Sequence, residues 1–494
     1  MQSKSTARQG LFKATLIFSI CLSIYSCKKG NDAEQSVSID KTLLEITPAE
    51  YASIAYDNPK ELSTDEIKKV IQAYPLKDNP ATKGSNDIQF EVAEKYYIDQ
   101  KGALEKASVS PATKSQVSDN KIAVYNVNIT SGNKTGSALV CADERAPVVL
   151  AYMPVNHLRP ELLGENLMYQ SSKRYITDRL VYIGHLRDSL RSKTLSKLEE
   201  KLGKLPEQDV FSFVKNKIRV QSTAPKTKSP VESWLPTQVI SQVGPFATTE
   251  WDQSGVADQL LPSGSTCTRV PAGCLVIAGA QVLAQLAPTF PVIVRYETRE
   301  VNIPGAGHGG VTRTITIPIY ENVNWPYLKA NPFIGYYDPQ DKQTMYSRLI
   351  RDIFNRTQTI PSCEGSGTQM QKMIDLLRNY IDIDNPAGFN VQQIKASLDN
   401  NRSVIAAGSR LSGTEKIRHA WVVDGYAICD KMNGSTPGDL VHQYDLYLHA
   451  NLGWGGSDTG WFLVGTDWNL SFDVAWDTRQ YGLDMQMATN ARNK

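Results

Sequence analysis

No charge of one sign dominates this sequence: 53 basic residues face 51 acidic ones, for a net charge of +2 over 494 residues. A surface that binds nucleic acid, or an anionic membrane by charge alone, needs a clear excess of Lys and Arg. Both are excluded as main functions. Histidine is scarce, with 6 residues, and none is spaced with Cys or carboxylates as metal ligands are. No metal and no organic cofactor is expected. Internal repeats and low-complexity tracts are absent, and no run is long and apolar enough to span a membrane comfortably. What is present, 41% hydrophobic and 21% charged residues, is enough to build packed cores in roughly two to four domains.

The first 27 residues have a pattern of their own. Lys4, Arg8 and Lys13 precede an apolar run from Ala14 to Tyr25, and Ser26-Cys27 closes it. The run is short for a transmembrane helix and suits the core of a signal peptide. A small residue followed by Cys resembles a bacterial lipoprotein processing site, with cleavage before Cys27 and lipid on its thiol. The chain is expected to be exported and lipid-anchored to the cell envelope, on the periplasmic face or at the cell surface, touching membrane through that anchor only.

Seven cysteines occur. Cys21 leaves with the signal and Cys27 is the anchor, so Cys141, Cys267, Cys274, Cys363 and Cys429 remain. An odd thiol in a compartment that permits disulfides is a candidate reactive group. Which of the others pair is left open.

Composition divides the rest. Residues 28–45 are a polar tether. Residues 46–222 read as an α+β domain. Its helices are expected over 61–74, with Ser63-Thr64-Asp65-Glu66 as capping signal, over 88–100 and over 165–203; its strands over 122–129, 137–142 and 148–152. Residues 223–232 lie in a polar, Pro-containing, lysine-bearing stretch with no apolar period, which reads as a linker open to proteolysis. Residues 233–494 begin with helical patterns at 272–287, 341–355, 368–383 and 390–399. They turn to strand patterns at 403–407, 419–423, 444–448 and 460–463. A helical half followed by a β half suggests two lobes with a cleft between them.

Four segments of that last region carry chemistry. Pro271-Ala272-Gly273 punctuates the chain just before Cys274, and an apolar helical stretch follows at once. Cys274 therefore sits at a helix N-terminus, where the dipole and free N–H groups favour thiolate, the nucleophile that acyl transfer needs. His419 opens an apolar strand that ends in Asp424-Gly425, a suitable place for a base facing a cleft. Asn451 lies just before the turn Gly453-Trp454-Gly455-Gly456 and could orient the base; His449 shares its strand face and competes with His419 for the base role. Gln253, in Trp251-Asp252-Gln253, could donate to an oxyanion.

In this order the segments resemble the streptopain-type peptidases, a bacterial branch of the papain-like cysteine peptidases. Trp251-Asp252-Gln253 resembles their Trp-x-Gln, and Ala272-Gly273-Cys274 with Ala280-Gln281 resembles the nucleophile helix. Asn324-Trp325 and Gly365-Ser366-Gly367 are further landmarks. Arg418-His419-Ala420-Trp421-Val422-Val423-Asp424-Gly425 and Asn451-Leu452-Gly453-Trp454-Gly455-Gly456 resemble the two β motifs. Val140 to Tyr152 resembles a segment of the family's inhibitory propeptide. Three features depart from the pattern: Leu452 stands where the family has Trp, Arg418 where it has Gly, and a polar insertion occupies about 428–442.

The resemblance implies an α+β chain with a papain-like two-lobed catalytic domain, helical lobe then β lobe, preceded by an α+β inhibitory prodomain. It implies a secreted cysteine endopeptidase made as a zymogen. Cys274 is the nucleophile, His419 the general base and acid, Gln253 the oxyanion donor and Asn451 the group that orients His419, with Trp454 and Gly273 at the substrate cleft. Protein or peptide substrates and the chain's own prodomain are the expected partners. A cell-wall peptide amidase or transferase with the same dyad, or a catalytically silent surface binding lipoprotein, are the alternatives.

Overall fold

In the computed structural model the described residues are 43–74, 76, 88–99, 104–107, 121–155, 157–159, 163–164, 166–220, 238–303, 311–412, 414–430, 444–467 and 483–494. Cys27, nearly all of the tether and the 223–232 linker lie outside them.

Helices begin where the sequence caps them. Ser63 Oγ accepts the Glu66 N–H, and the Glu66 carboxylate accepts the Ser63 N–H, so the helix Thr64–Gln72 starts on a reciprocal capping box. Asn166 Oδ1 caps the helix Leu167–Leu202 in the same way, one side chain to one amide.

The segment expected as a helix over 88–100 is instead the strand Ile88–Asp99. It pairs with Lys121–Ser131 on one side and Leu104–Ala107 on the other. Its register slips between Val92 and Glu94. The slip breaks the two-residue alternation that marks a strand, and the apolar residues then fall at helix-like spacing. Pairing on both edges overrides local propensity. The hairpin Lys121–Ser131/Lys134–Cys141 and the strand Val148–Met153 form where expected.

In the C-terminal half the helices Cys274–Leu286, Gln340–Arg356 and Val391–Asp399 match their sequence patterns. The helix expected over 368–383 ends early, as Met370–Leu377, and the chain enters a short strand at Ile381–Asp382. Within this half lies an element the helical reading missed, the antiparallel hairpin Pro291–Ile303/Val311–Asn322.

The fold class is α+β, with a helical lobe and a β lobe. The apolar core of the helical lobe is built on the helix Cys274–Leu286 and reaches Ile405, Ala420 and Val422 of the sheet. A second core is shared: Trp421, Tyr447 and Trp461 of the β lobe pack in one cluster with Tyr74, Leu139 and Leu150 of the N-terminal half.

One 12-stranded sheet runs through both halves. The junction is short. Strand Gly460–Asp467 meets strand Val148–Met153 through Trp461 opposite Tyr152 and Phe462 opposite Ala151. Hydrogen bonds flank it, from Tyr447 Oη to the Val149 carbonyl at 2.6 Å and from Tyr74 Oη to Asp445 at 3.0 Å. Gly460 permits the approach, because a Cβ there would stand 2.4 Å from the Tyr152 carbonyl oxygen.

Gly460→Val is therefore expected to push the two halves apart, costing about 1–3 kcal/mol as overpacking does. A lower urea midpoint, with unchanged slope, is the readout; an unchanged midpoint counts against a tight junction.

Candidate active site

The helix Cys274–Leu286 has no side-chain cap. Its N-cap is Gly273, with φ 90°, a backbone conformation that favours glycine. A Cβ on Gly273 would also lie 2.4 Å from the Ser366 carbonyl oxygen. Gly273 is buried beneath the cleft rather than lining it, a correction to its expected place. Its role is to let the chain turn tightly into Cys274 against the loop that carries Ser366.

Cys274 is partly exposed and opens into a cleft of about 780 Å³. Gln253, His419 and Trp454 line the same cleft, as do the 362–368 loop and the charged side chains of Lys416, Arg418 and Asp484. Among the described cysteines, Cys267 and Cys363 form a disulfide, and Cys141 and Cys429 are buried. Burial pushes the Cys141 thiol well up. Cys274 is the partly exposed, unbridged thiol.

Gln253 is fixed through its backbone. Its carbonyl accepts the Ala272 N–H at 2.7 Å, and its own N–H donates to Asp252 Oδ1 at 2.6 Å. These bonds tie it to the turn that precedes Cys274. Its side-chain amide makes no hydrogen bond within the described residues, so its N–H groups are available. Gln281, buried in the nucleophile helix, accepts from Thr249 Oγ1 and the Trp251 N–H at 3.4 Å each, holding the Trp251–Gln253 segment against that helix.

His419 is buried on the strand Glu415–Asp430, opposite Gly408. Its ring lies 4.5 Å from Trp454 and 6.1 Å from Trp421, centroid to centroid. Nε2 is 2.9 Å from the Leu452 carbonyl oxygen. A carbonyl can only accept, so Nε2 carries the proton and Nδ1 keeps the lone pair a base needs.

The Asn451 side chain does not reach His419. Its Nδ2 donates to the Thr249 carbonyl at 2.6 Å, and its Oδ1 accepts the Gly453 N–H at 3.1 Å. The direct orienting contact expected of it comes from the next residue's backbone, the Leu452 carbonyl, and Asn451 holds the turn that presents it. The departure at Leu452 has the same resolution: its side chain is buried, its carbonyl faces His419, and Trp454 supplies the aromatic wall.

His449, the rival base, is occupied elsewhere. Its Nδ1 is 2.6 Å from Asp424 Oδ1, and Asp424 Oδ2 accepts the N–H groups of Phe246 and Ala247. It does not line the cleft.

One neighbour of the site was invisible to motif reading. Arg159, from the N-terminal half, stacks over Trp454 at 5.1 Å from the ring centroid, and its Nε is 3.2 Å from Asp458. Its backbone N–H also donates to Asp458 at 3.0 Å. A lone Arg in a loop has no sequence signature; only the fold places it here.

The electrostatics keep both candidate groups neutral. Burial pushes the Cys274 thiol above its ordinary value, against the pull of backbone N–H groups of Ala420, Leu275 and Cys274 itself. Desolvation thus opposes the thiolate that the helix N-terminus favours, and is the larger of the two effects. Burial lowers His419 to about 4; the Leu452 bond raises it, and the charge of Arg159 lowers it further. No hydrogen bond joins Cys274 and His419 in this state.

Residues 251–462 match the Peptidase C10 family. No curated protein sequence matches the chain. Among solved structures, a mutant prointerpain A fragment from Prevotella intermedia is 16% identical, with a TM-score of 0.42, over 76% of this chain and 96% of that one. Active wild-type interpain A cysteine protease from Prevotella intermedia is 18% identical, with a TM-score of 0.34, over 55% of this chain and 100% of that one. The matched region carries Gln253, Cys274, His419, Asn451 and Trp454, and the chain is a cysteine-type peptidase, a hydrolase.

A pH dependence follows from His419. Its folded value of about 4 lies below the ordinary 6.5, so as pH falls the unfolded chain takes up this proton first. The stability that neutral His419 contributes is complete above pH 6.5 and is lost as pH falls toward 4, by roughly 3 kcal/mol. Urea unfolding of the full chain at stepped pH should show that slope, and His419→Gln should flatten it. Equal slopes would sink the assignment.

Proposed function

We propose that the chain is a secreted cysteine endopeptidase made as a zymogen, with Cys274 as nucleophile and His419 as base. The observation that carries this is the cleft that Cys274, His419 and Gln253 line together, inside the region matching the peptidase family.

In the proposed reaction His419 Nδ1 takes the Cys274 proton, and the sulfur attacks the carbonyl carbon of the scissile peptide. The carbonyl oxygen becomes an oxyanion, met by a Gln253 side-chain N–H and the Cys274 backbone N–H. His419 returns the proton to the departing amine as the C–N bond breaks, leaving a thioester. Water, deprotonated by His419, attacks that thioester and frees the acid and the thiol. The Leu452 carbonyl steadies the imidazolium formed in each half, and Asn451 acts as a positioning residue through the turn that carries it.

Residues 46–222 are proposed as the inhibitory prodomain, 223–232 as the activation linker and 233–494 as the catalytic domain. Arg159 supports the latency: paired with Asp458 and stacked on Trp454, it holds a positive charge near His419 and opposes formation of the imidazolium. Removal of the prodomain takes away that charge. Signal residues 1–27 and lipid attachment at Cys27 are proposed from the N-terminal pattern, and the Cys267–Cys363 disulfide fits an oxidising compartment.

Two measurements test the reading. The chain lacking residues 1–27, incubated with a mild thiol, should be cut between residues 221 and 232 and then digest casein. Cys274→Ala should do neither, and activity surviving that change rules out Cys274 as nucleophile. In the matured enzyme Gln253→Ala should lower kcat about 10²–10³-fold with KM little changed.

For latency, Arg159→Ala in the uncut chain is expected to raise reactivity of Cys274 toward a thiol-directed epoxide and to move the acid limb of the rate upward in pH. A rate and pH profile equal to the parent's would mean Arg159 serves packing alone.

A further inference from the structure

The Cys267–Cys363 disulfide, whose ends are 96 positions apart in the chain, joins two loops beside the nucleophile. Cys267 lies in the loop that runs into Cys274. That loop closes on itself, with Val270 N–H to the Pro262 carbonyl at 3.0 Å and Gly264 N–H to the Cys267 carbonyl at 3.1 Å. Arg269 also donates to the Leu261 carbonyl. Cys363 lies in a second loop, closed at its neck by the reciprocal bonds between Ile360 and Gly367, at 2.8 and 2.9 Å. Residues 362 and 364–368 of this second loop line the cleft.

The two loops share a tight van der Waals contact, Gly273 against the Ser366 carbonyl. No backbone or side-chain hydrogen bond runs between residues 261–273 and residues 360–368. The disulfide is the one strong tie between them. Gly264 packs directly on it, since a Cβ there would stand 2.2 Å from Cys363 Sγ and 2.6 Å from Cys267 Sγ.

We propose that the Cys267–Cys363 bridge is a positioning device of the peptidase: it holds the 362–368 wall of the cleft against the Gly273 turn and so sets substrate affinity. The inference rests on Cys274 as nucleophile for its kinetic consequence and on the two loops alone for its structural one. A dithiol reductant supplies two electrons and two protons, opening the bridge to two thiols as it closes to its own disulfide. Toward the Gly273 turn the wall then has only a van der Waals contact to hold it. Cys274 keeps its helix and its turn, because neither depends on the bridge. Bound substrate loses one side of its groove while the reacting groups stay in place, which separates KM from kcat.

The test is the full chain carrying Cys267→Ser and Cys363→Ser, matured by linker cleavage, beside the parent. KM should rise about tenfold while kcat stays within about twofold, and the Ile360 and Gly367 amides should exchange hydrogen faster. Unchanged amide exchange overturns the proposal whatever the activity. A fall in kcat alone overturns it too, assigning the bridge to the nucleophile instead of the wall. Should the double variant not fold, the matured parent is titrated with dithiothreitol. KM should climb with the fraction of bridge reduced, read by alkylating parallel aliquots for mass spectrometry, and a flat KM with the bridge fully reduced refutes the role. Peptidase activity persisting in Cys274→Ala would bring down the nucleophile reading separately, leaving the amide-exchange result to stand or fall by itself.

Discussion

Everything at the site depends on one seam, the packing of the helix Cys274–Leu286 against the strand Glu415–Asp430. The helix is apolar nearly all round, from Leu275 to Ala284 buried without interruption, and such a helix has to be covered on every side. On one side it meets the helical lobe through Ile350, Met373 and Leu377; on the other it meets Ile405, Ala420 and Val422 of the sheet. Burial of that surface is non-directional and large. Direction comes from small residues. Gly453 lies against Ile277, Gly279 against Met373, and Gly273 against Ser366. Together they fix the depth at which the helix N-terminus stops, and hence which side chains Cys274 shares a cleft with.

The resting chemistry follows from the same burial. Desolvation disfavours both the thiolate and the imidazolium, and it outweighs the helix dipole at Cys274 and the carbonyl bond at His419. Charge separation between sulfur and imidazole, as the proposed reaction requires, therefore needs something that stabilises the charges that result. In the proposed reaction substrate supplies a polarisable carbonyl and Gln253 a donor. Arg159 is set against it, since a cation over Trp454 penalises a second cation at His419. The N-terminal half continues the sheet, completes a core and places one charge, and each uses a different interaction.

Residue chemistry was more legible than its geometry. Gly273-Cys274 before an apolar run, His419 at a strand start and Gln253 upstream could all be picked out, because each is a local pattern with a local reason. What those residues touch could not. Asn451 is next to the residue that contacts His419, and the difference between a side-chain amide and a neighbouring carbonyl lies in how one turn is folded. His449 stood as a competitor to His419 until its pairing with Asp424 was seen. The strand Ile88–Asp99 read as a helix because a single bulge scrambles alternation, and the hairpin Pro291–Ile303/Val311–Asn322 was passed over inside a stretch otherwise rich in helical spacing.

The sequence by itself determined the helix start at Ser63, which meets an amide within one turn, and the order of chemical groups along the chain. Such effects act over a few residues. Tertiary structure alone decided the rest. Cys267 found Cys363 across 96 residues, Trp461 found Tyr152 across the linker, and Arg159 found Trp454 and Asp458. Contacts so distant in the chain carry no periodicity to read; they exist because the packing of two cores and one sheet leaves those side chains nowhere else to go.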